Sequence, residues 1–258
     1  MFAREGRDYL EYSLVEDYIV NAFVSKVFVW MFIGLVITAA TTAGIIFALG
    51  GTTEALEAFF YTSRFIFFVL FVAQIIIIGS LGARIQALNP VTAKILYIVY
   101  AMSNGLTVGM LVTMYAMYIV GIGTVVMAFG ITGASFGIMA VYGLVSKKDL
   151  TSWSSLLFAG LIGVIIASVA NWFLGNYMLD FIICVVGLFI FLGLVAVDSY
   201  KIKNYFARVA VESQRPDGTV DMDKAALASN LAIYGALMLY LDFINMLLFI
   251  LRLLGRRR

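Results

Sequence analysis

The sequence predicts an all-α membrane protein, a polytopic bundle of seven transmembrane helices. Of its 258 residues, 63% are hydrophobic and only 12% are charged, and the mean hydropathy is +1.03. Soluble globular proteins average about half apolar and about a quarter charged residues, so this composition indicates a lipid environment. The charge-free runs are also long enough to cross a bilayer, since one span needs about 20 residues.

The seven spans follow from the positions of these apolar runs. The run from 95 to 146 is too long for one helix, and it divides at Gly121 and Gly123 because glycines favour a tight turn. The predicted spans are residues 26–49, 62–83, 93–117, 122–145, 152–174, 178–200 and 225–251. Within them, the glycine pairs Gly105 with Gly109 and Gly133 with Gly137 have the spacing typical of close helix packing.

The segments outside the spans are short, so the sequence predicts one transmembrane domain over residues 26–255. Residues 1–25 carry both acidic and basic side chains and are too acidic for a secretory signal. We predict that they form an amphipathic cytoplasmic segment. Residues 201–224 contain the turn signal Arg215-Pro216-Asp217-Gly218 and are predicted to be a cytoplasmic helix extension that reverses there.

Lysine and arginine residues are concentrated at one end of the predicted bundle. With the N-terminus inside, 12 of them flank the cytoplasmic side and 5 flank the other side. Cytoplasmic loops carry such an excess, so a cytoplasmic N-terminus is predicted. The tail Arg256-Arg257-Arg258 would then lie outside, against the rule. A six-span alternative, with a re-entrant last segment that contains Asp242 and Asn245, stays open.

Two aspartates lie inside predicted spans, Asp198 in the sixth and Asp242 in the seventh. A carboxylate in hydrocarbon costs several kcal/mol unless it is protonated, paired or hydrated. Counting helical rise from the turn in the linker places the two carboxylates at similar depth on adjacent antiparallel helices. The alternative is that each aspartate separately caps a helix or reaches the membrane surface.

If the two carboxylates meet, their chemistry is specific. Like charges in a poorly hydrated site share a proton and titrate as one unit. The chain has no histidine, so a response near neutral pH must come from such carboxylates or from the N-terminal amine. The deprotonated pair is an oxygen-rich site that suits transient calcium binding. Glu54 and Glu57 are candidate entrance carboxylates, or alternatively part of a solvated loop.

Other functions are disfavoured by the residues that are present. A net charge of +2 gives no broad basic surface for nucleic acid, and a lone cysteine without histidine offers little for zinc. We therefore expect no cofactor, no nucleic-acid partner and no enzymatic activity. An intramembrane aspartyl protease is a remote alternative, because Tyr240-Leu241 stands before Asp242 where such enzymes carry glycine.

Several motifs resemble those of the Bax inhibitor family, particularly its bacterial members. The motifs are Tyr240-Leu241-Asp242-Phe243-Ile244-Asn245, Val197-Asp198 with Lys201-Ile202, Asn89-Pro90, and Ser103-Asn104-Gly105-Leu106. The likeness extends over about residues 20 to 255. It implies a bundle with a central C-terminal helix, a pH-sensing aspartate pair and a calcium leak that depends on protonation. It also implies a bacterial inner membrane as the location.

Carried over residue by residue, the resemblance implies that Asp198 and Asp242 are the pH-sensing and gating pair. Arg84 and Asn245 are candidate gating partners, although Arg84 is alternatively a positively charged anchor at the membrane surface. The long 201–224 linker departs from the family pattern, and the second span contains Gln74 but no acidic residue. A non-conducting regulator that binds a membrane protease or another membrane complex is the alternative function.

Overall fold

The computed structural model describes residues 2–214 and 219–255, with side chains from residue 14 onward except that of Arg64. The predicted turn Arg215-Pro216-Asp217-Gly218 and the tail Arg256-Arg257-Arg258 lie outside the described residues. The amphipathic character predicted for residues 1–25 falls partly on side chains that are outside the description.

The described chain is helical almost throughout. Its helices are α1 Phe2–Ala48, α2 Thr53–Thr62, α3 Arg64–Arg84, α4 Pro90–Val120, α5 Ile122–Val145, α6 Thr151–Leu174, α7 Tyr177–Glu212 and α8 Met222–Gly255. All except α2 contain a stretch long and apolar enough to cross a membrane. The predicted all-α bundle of seven spans is confirmed for the part of the chain that the structure covers.

The short helix α2 was not predicted. Gly50 and Gly51 adopt positive φ angles of 75° and 68°, which end α1. Thr52 then caps α2, because its Oγ1 accepts a hydrogen bond from the Ala55 N–H at 3.3 Å. Ten residues are too few to cross a bilayer, so α2 leaves the number of spans unchanged.

The last helix, α8, is a single unbroken helix of 34 residues. At 1.5 Å per residue it is about 50 Å long, which exceeds a bilayer core of about 30 Å. The re-entrant alternative is therefore wrong. The helix packs against α1, α4, α5 and α7, and Leu237, Leu239, Tyr240 and Met246 are fully buried. The central position that the resemblance implied for the C-terminal helix is confirmed.

Two helices contain π-helical turns. In α4 these are Gly105–Gly109 and Ala116–Val120, and in α7 the turn is Ile202–Phe206, directly after the predicted sixth span. The helix α7 continues to Glu212 and α8 begins at Met222, so both extend into the linker. A backbone hydrogen bond of 2.8 Å from Asp221 to Ser213 joins their ends.

The glycine pairs differ in what they contact. A Cβ added at Gly105 would lie 2.6 Å from the carbonyl oxygen of Thr38, and one at Gly109 would meet the Thr42 hydroxyl. The predicted close approach is therefore confirmed for α4, which packs against α1. It is wrong for Gly133 and Gly137, because a Cβ at either position meets no described atom within 4 Å. Spacing alone does not tell which helix face meets protein.

Asn230 of α8 fastens the connection between α3 and α4. It is 1% exposed, and its Nδ2 donates to the carbonyl oxygens of Ile85 at 3.0 Å and Leu88 at 2.7 Å. We expect Asn230→Leu to lower the free energy of unfolding by about 1–3 kcal/mol, because the buried carbonyl of Ile85 and the partly buried carbonyl of Leu88 both lose their donor. Thermal unfolding in detergent, followed by circular dichroism, measures this loss.

The matched control is Asn204→Leu. Among the described residues, Asn204 donates only to the carbonyl oxygen of Tyr200 in its own helix, at 2.9 Å, so its loss breaks no described hydrogen bond between helices. Equal destabilisation by the two substitutions would contradict the fastening role of Asn230.

Candidate functional site

A cavity of about 510 Å³ lies between α6, α7 and α8 and contains both intramembrane aspartates. Its described walls are apolar except for four side chains, which are Ser168, Asp198, Asp242 and Asn245. The structure thus brings three of the predicted site residues to one place. Both acids are nearly buried, so little solvent screens their charges and they act strongly on each other.

Asp198 faces this cavity from α7 and is 6% exposed. Its Oδ1 lies 3.5 Å from Nζ of Lys201, three residues later on the same helix face. The ammonium group of Lys201 is itself partly exposed. Lys201 therefore supplies a positive charge between the cavity and the end of the bundle that is rich in lysine and arginine.

Asp242 faces the same cavity from the centre of α8 and is 4% exposed. Its Oδ2 has no hydrogen-bond partner among the described residues. Asn245 does not provide one, because its Nδ2 donates to the carbonyl oxygen of Leu241 at 2.8 Å. The charge of Asp198 acts on Asp242 across the cavity, and that of Lys201 acts on it with the opposite sign. Asp242 is the less compensated of the two acids.

Arg84 is not part of this arrangement. It is exposed in the last turn of α3, and no ion pair joins it to Asp198 within the described residues. The cation beside Asp198 is Lys201 instead. The position of Lys201 three residues after Asp198 is a helical-spacing signal that sequence reasoning did not use.

Glu54 and Glu57 lie on α2 and do not line the aspartate cavity. Glu57 is half-buried and acts electrostatically on Tyr118 near the end of α4, whereas Glu54 is exposed. Within the described residues, no group of three or more His, Cys, Asp or Glu side chains is placed to hold a metal ion. In the aspartate cavity, the two aspartate carboxylates have a serine hydroxyl and an asparagine amide nearby. This set of groups suits brief contact with a cation rather than a permanently bound one.

Ser168 is a cavity residue that the sequence did not reveal. It lies on α6, and its Oγ donates to the carbonyl oxygen of Val164 at 2.7 Å. A single serine in an apolar span can donate its hydrogen bond to a carbonyl of its own helix. The sequence therefore does not indicate whether its side chain faces lipid or another helix.

A second polar cluster lies on another face of α8. The Tyr240 hydroxyl is 2.6 Å from Thr38 Oγ1, which is 3.0 Å from the carbonyl oxygen of Ala101, so these groups join α1, α4 and α8. Gln74 of α3 donates to Ser103 Oγ and Thr107 Oγ1, each at 2.9 Å. Gln74 thus has a packing role between α3 and α4.

Comparison with known proteins gives matches over most of the chain. The family model described as "Inhibitor of apoptosis-promoting Bax1" matches residues 20–258. The inner membrane protein YbhL of Escherichia coli strain K12 is 30% identical over 238 residues, which are 92% of this chain and 93% of that protein. Uncharacterized proteins of Borreliella burgdorferi and Deinococcus radiodurans are 32% and 31% identical. These alignments cover 94% and 91% of this chain, and 95% and 90% of the respective relatives.

Proposed function

The chain belongs to the Bax inhibitor family, and on that premise we propose that it forms a pH-sensitive calcium leak across a membrane. Protonation of Asp198 and Asp242 gates the leak. The observation that carries this proposal is the cavity of about 510 Å³ between α6, α7 and α8, which both buried acids line. The protein is a multi-pass integral membrane protein, and we assign it a transport function rather than an enzymatic one.

The sign of the pH response follows from the charges. When the pair holds a proton, one negative charge remains in the cavity, Lys201 balances it, and the helices pack closed. When the pair loses its proton at higher pH, two negative charges repel each other in a poorly hydrated space. We propose that this repulsion separates α7 from α8 and admits calcium, a hard cation that prefers carboxylate oxygens. Calcium flux therefore increases as pH rises.

In this scheme Lys201 takes the place that the resemblance suggested for Arg84. The ion pair between Lys201 and Asp198 is present in this structure, which we take as the closed arrangement of the proposed leak. Asn245 and Ser168 offer further oxygen atoms to a passing cation once the cavity widens. Glu54 and Glu57, on α2, are proposed to attract cations to the other end of the bundle.

We further propose a bacterial inner membrane and a cytoplasmic N-terminus. The relative in Escherichia coli carries the name inner membrane protein. The lysine and arginine residues that the sequence concentrates at one end favour a cytoplasmic location for that end.

The test is calcium flux into proteoliposomes across a pH series, with the parent protein and the variants Asp198→Asn and Asp242→Asn. Loss of one proton changes the deprotonated fraction by at most about ten-fold per pH unit, so parent flux is expected to rise up to this limit. Each variant removes one titrating group of the pair and is expected to flatten the pH profile.

Asp180→Asn is the matched control, since Asp180 pairs with Arg252 at 2.8 Å and does not line the cavity. It is expected to keep the parent's pH profile. An unaltered profile in both cavity variants would refute gating by the pair. If the parent carries no calcium at any pH, the non-conducting regulator of a membrane complex becomes the better assignment.

A further inference from the structure

A second crevice, of about 360 Å³, lies between α5, α6 and α7 at the end of the bundle that is rich in lysine and arginine. It shares no lining residue with the aspartate cavity. Its apolar wall includes Met139 of α5, Leu157 of α6 and Val197 of α7, and Lys148 and Asp149 lie at its mouth. The crevice therefore joins an apolar interior to a charged rim.

The apolar part of this crevice is a narrow slot. Gly193 and Ala196 of α7 contribute almost no side chain to its wall. A Cβ at Gly193 would lie 2.8 Å from Cδ2 of Leu157, so α6 and α7 approach closely there. The apolar walls and the volume of about 360 Å³ suit a hydrocarbon chain.

The rim has an excess of positive charge. The one acidic group there, Asp149, accepts hydrogen bonds from the Thr151 hydroxyl at 2.6 Å and from the Thr151 N–H at 2.8 Å. These bonds hold the pKa of Asp149 below its usual value, so the carboxylate caps the start of α6. Lys147 and Lys148 are exposed, and neither forms an ion pair with any described residue.

Other polar groups around the rim point to a membrane headgroup region. The Lys203 ammonium group of α7 is hydrogen-bonded, since its Nζ donates to the carbonyl oxygen of Leu144 at 2.8 Å. Arg208 acts electrostatically on Tyr200 nearby. Trp153 and Tyr142 line the crevice and are 57% and 49% exposed. Amphipathic aromatic rings of this kind settle at the level of lipid headgroups.

We propose that this crevice binds an anionic phospholipid from the surrounding leaflet, with one acyl chain in the slot and the phosphate beside Lys147 and Lys148. Charge complementarity selects the anionic headgroup, and the apolar slot requires a hydrocarbon chain. A free phosphate ion would satisfy the lysines but leave the slot unfilled. The proposal does not depend on the calcium leak, because the two cavities have separate walls.

The test uses Trp153 as a reporter of lipid contact. The double variant Trp30→Phe and Trp172→Phe leaves it as the one tryptophan of the chain, and phenylalanine keeps an aromatic ring beside Tyr97 at position 30. The protein is reconstituted in phosphatidylcholine, into which phosphatidylglycerol or phosphatidylcholine with brominated acyl chains is titrated. Bromine quenches tryptophan fluorescence only when the chain is in contact with the ring.

Brominated phosphatidylglycerol is expected to quench Trp153 at a lower mole fraction than brominated phosphatidylcholine. The preference should be about five-fold for each contributing lysine, which corresponds to about 1 kcal/mol each. The additional change Lys147→Gln and Lys148→Gln is expected to remove this preference. Lys26→Gln with Lys94→Gln removes the same charge from α1 and α4, away from the crevice lining, and is expected to retain it.

Three results would overturn the assignment. The first is equal quenching by the two brominated lipids in the single-tryptophan protein, and the second is a preference that survives the loss of both rim lysines. The third is a preference that inorganic phosphate abolishes, because this would indicate a site for a free anion rather than for a lipid.

Discussion

Asp242→Leu is expected to make the protein more stable while it removes the proposed response to pH. Asp242 is 4% exposed, and its Oδ2 has no hydrogen-bond partner among the described residues. An unsatisfied buried polar group costs about 1–3 kcal/mol, and replacing it by an apolar group removes that cost. The adjacent cavity of about 510 Å³ has room for the larger side chain.

The measurement is thermal unfolding of parent and variant in the same detergent, together with the flux assay. We expect the free energy of unfolding to rise by about 1–3 kcal/mol for Asp242→Leu. Asp198→Leu is the informative comparison, because it removes the partner of Lys201 and leaves that ammonium group unpaired. It is expected to gain less stability or to lose some.

A less stable Asp242→Leu protein would contradict this account. It would mean that the carboxyl group of Asp242 contributes favourably to packing, so that its presence needs no functional explanation. A gain in stability, in contrast, indicates that the chain retains a destabilising group because its function requires it. Intramembrane carboxylates are commonly retained for this reason.

Gly143→Val is expected to destabilise the bundle strongly. Gly143 is buried on α5, and a Cβ there would meet the backbone carbonyl oxygen of Ala196 and lie 2.9 Å from Cβ of Ser199. Backbone atoms of α7 cannot move aside as a flexible side chain can. Overpacking typically costs about 1–3 kcal/mol, and a clash with backbone belongs at or above the top of that range.

Gly137→Val is the matched control, because it makes the same change in the same helix at a position where a Cβ meets no described atom within 4 Å. Both variants alter helix propensity equally, so the difference in their melting temperatures reports the contact between α5 and α7. Equal melting temperatures would show that the two helices tolerate separation at Gly143.

The spans could be predicted from the sequence because a lipid environment permits few backbone structures. A backbone in hydrocarbon must satisfy its hydrogen bonds internally, so a long apolar run becomes a helix. The predicted fourth span, residues 122–145, has the same bounds as α5. Where water replaces lipid, hydropathy carries less information, and the ten-residue helix α2 was not predicted.

The candidate site was predictable in part for a related reason. A carboxylate is so costly in hydrocarbon that Asp198 and Asp242 stand out among apolar neighbours, whatever they contact. Asn245 was predicted because it belongs to the same motif as Asp242 and lies three residues after it on the same helix. Arg84 was suggested by resemblance alone, and the cation that lies beside Asp198 is Lys201.

Sequence alone thus establishes the number of membrane-spanning helices, the approximate extent of their spans and the identity of the buried acids. Only the tertiary structure decides which face of each helix meets another helix. It places Gly143 against α7 and leaves Gly137 without a described neighbour, and it brings Asn230 to the connection between α3 and α4. It also forms both cavities. The physical reason is that lipid tails and protein interiors are equally apolar, so a lipid-facing side and a packed side have the same composition.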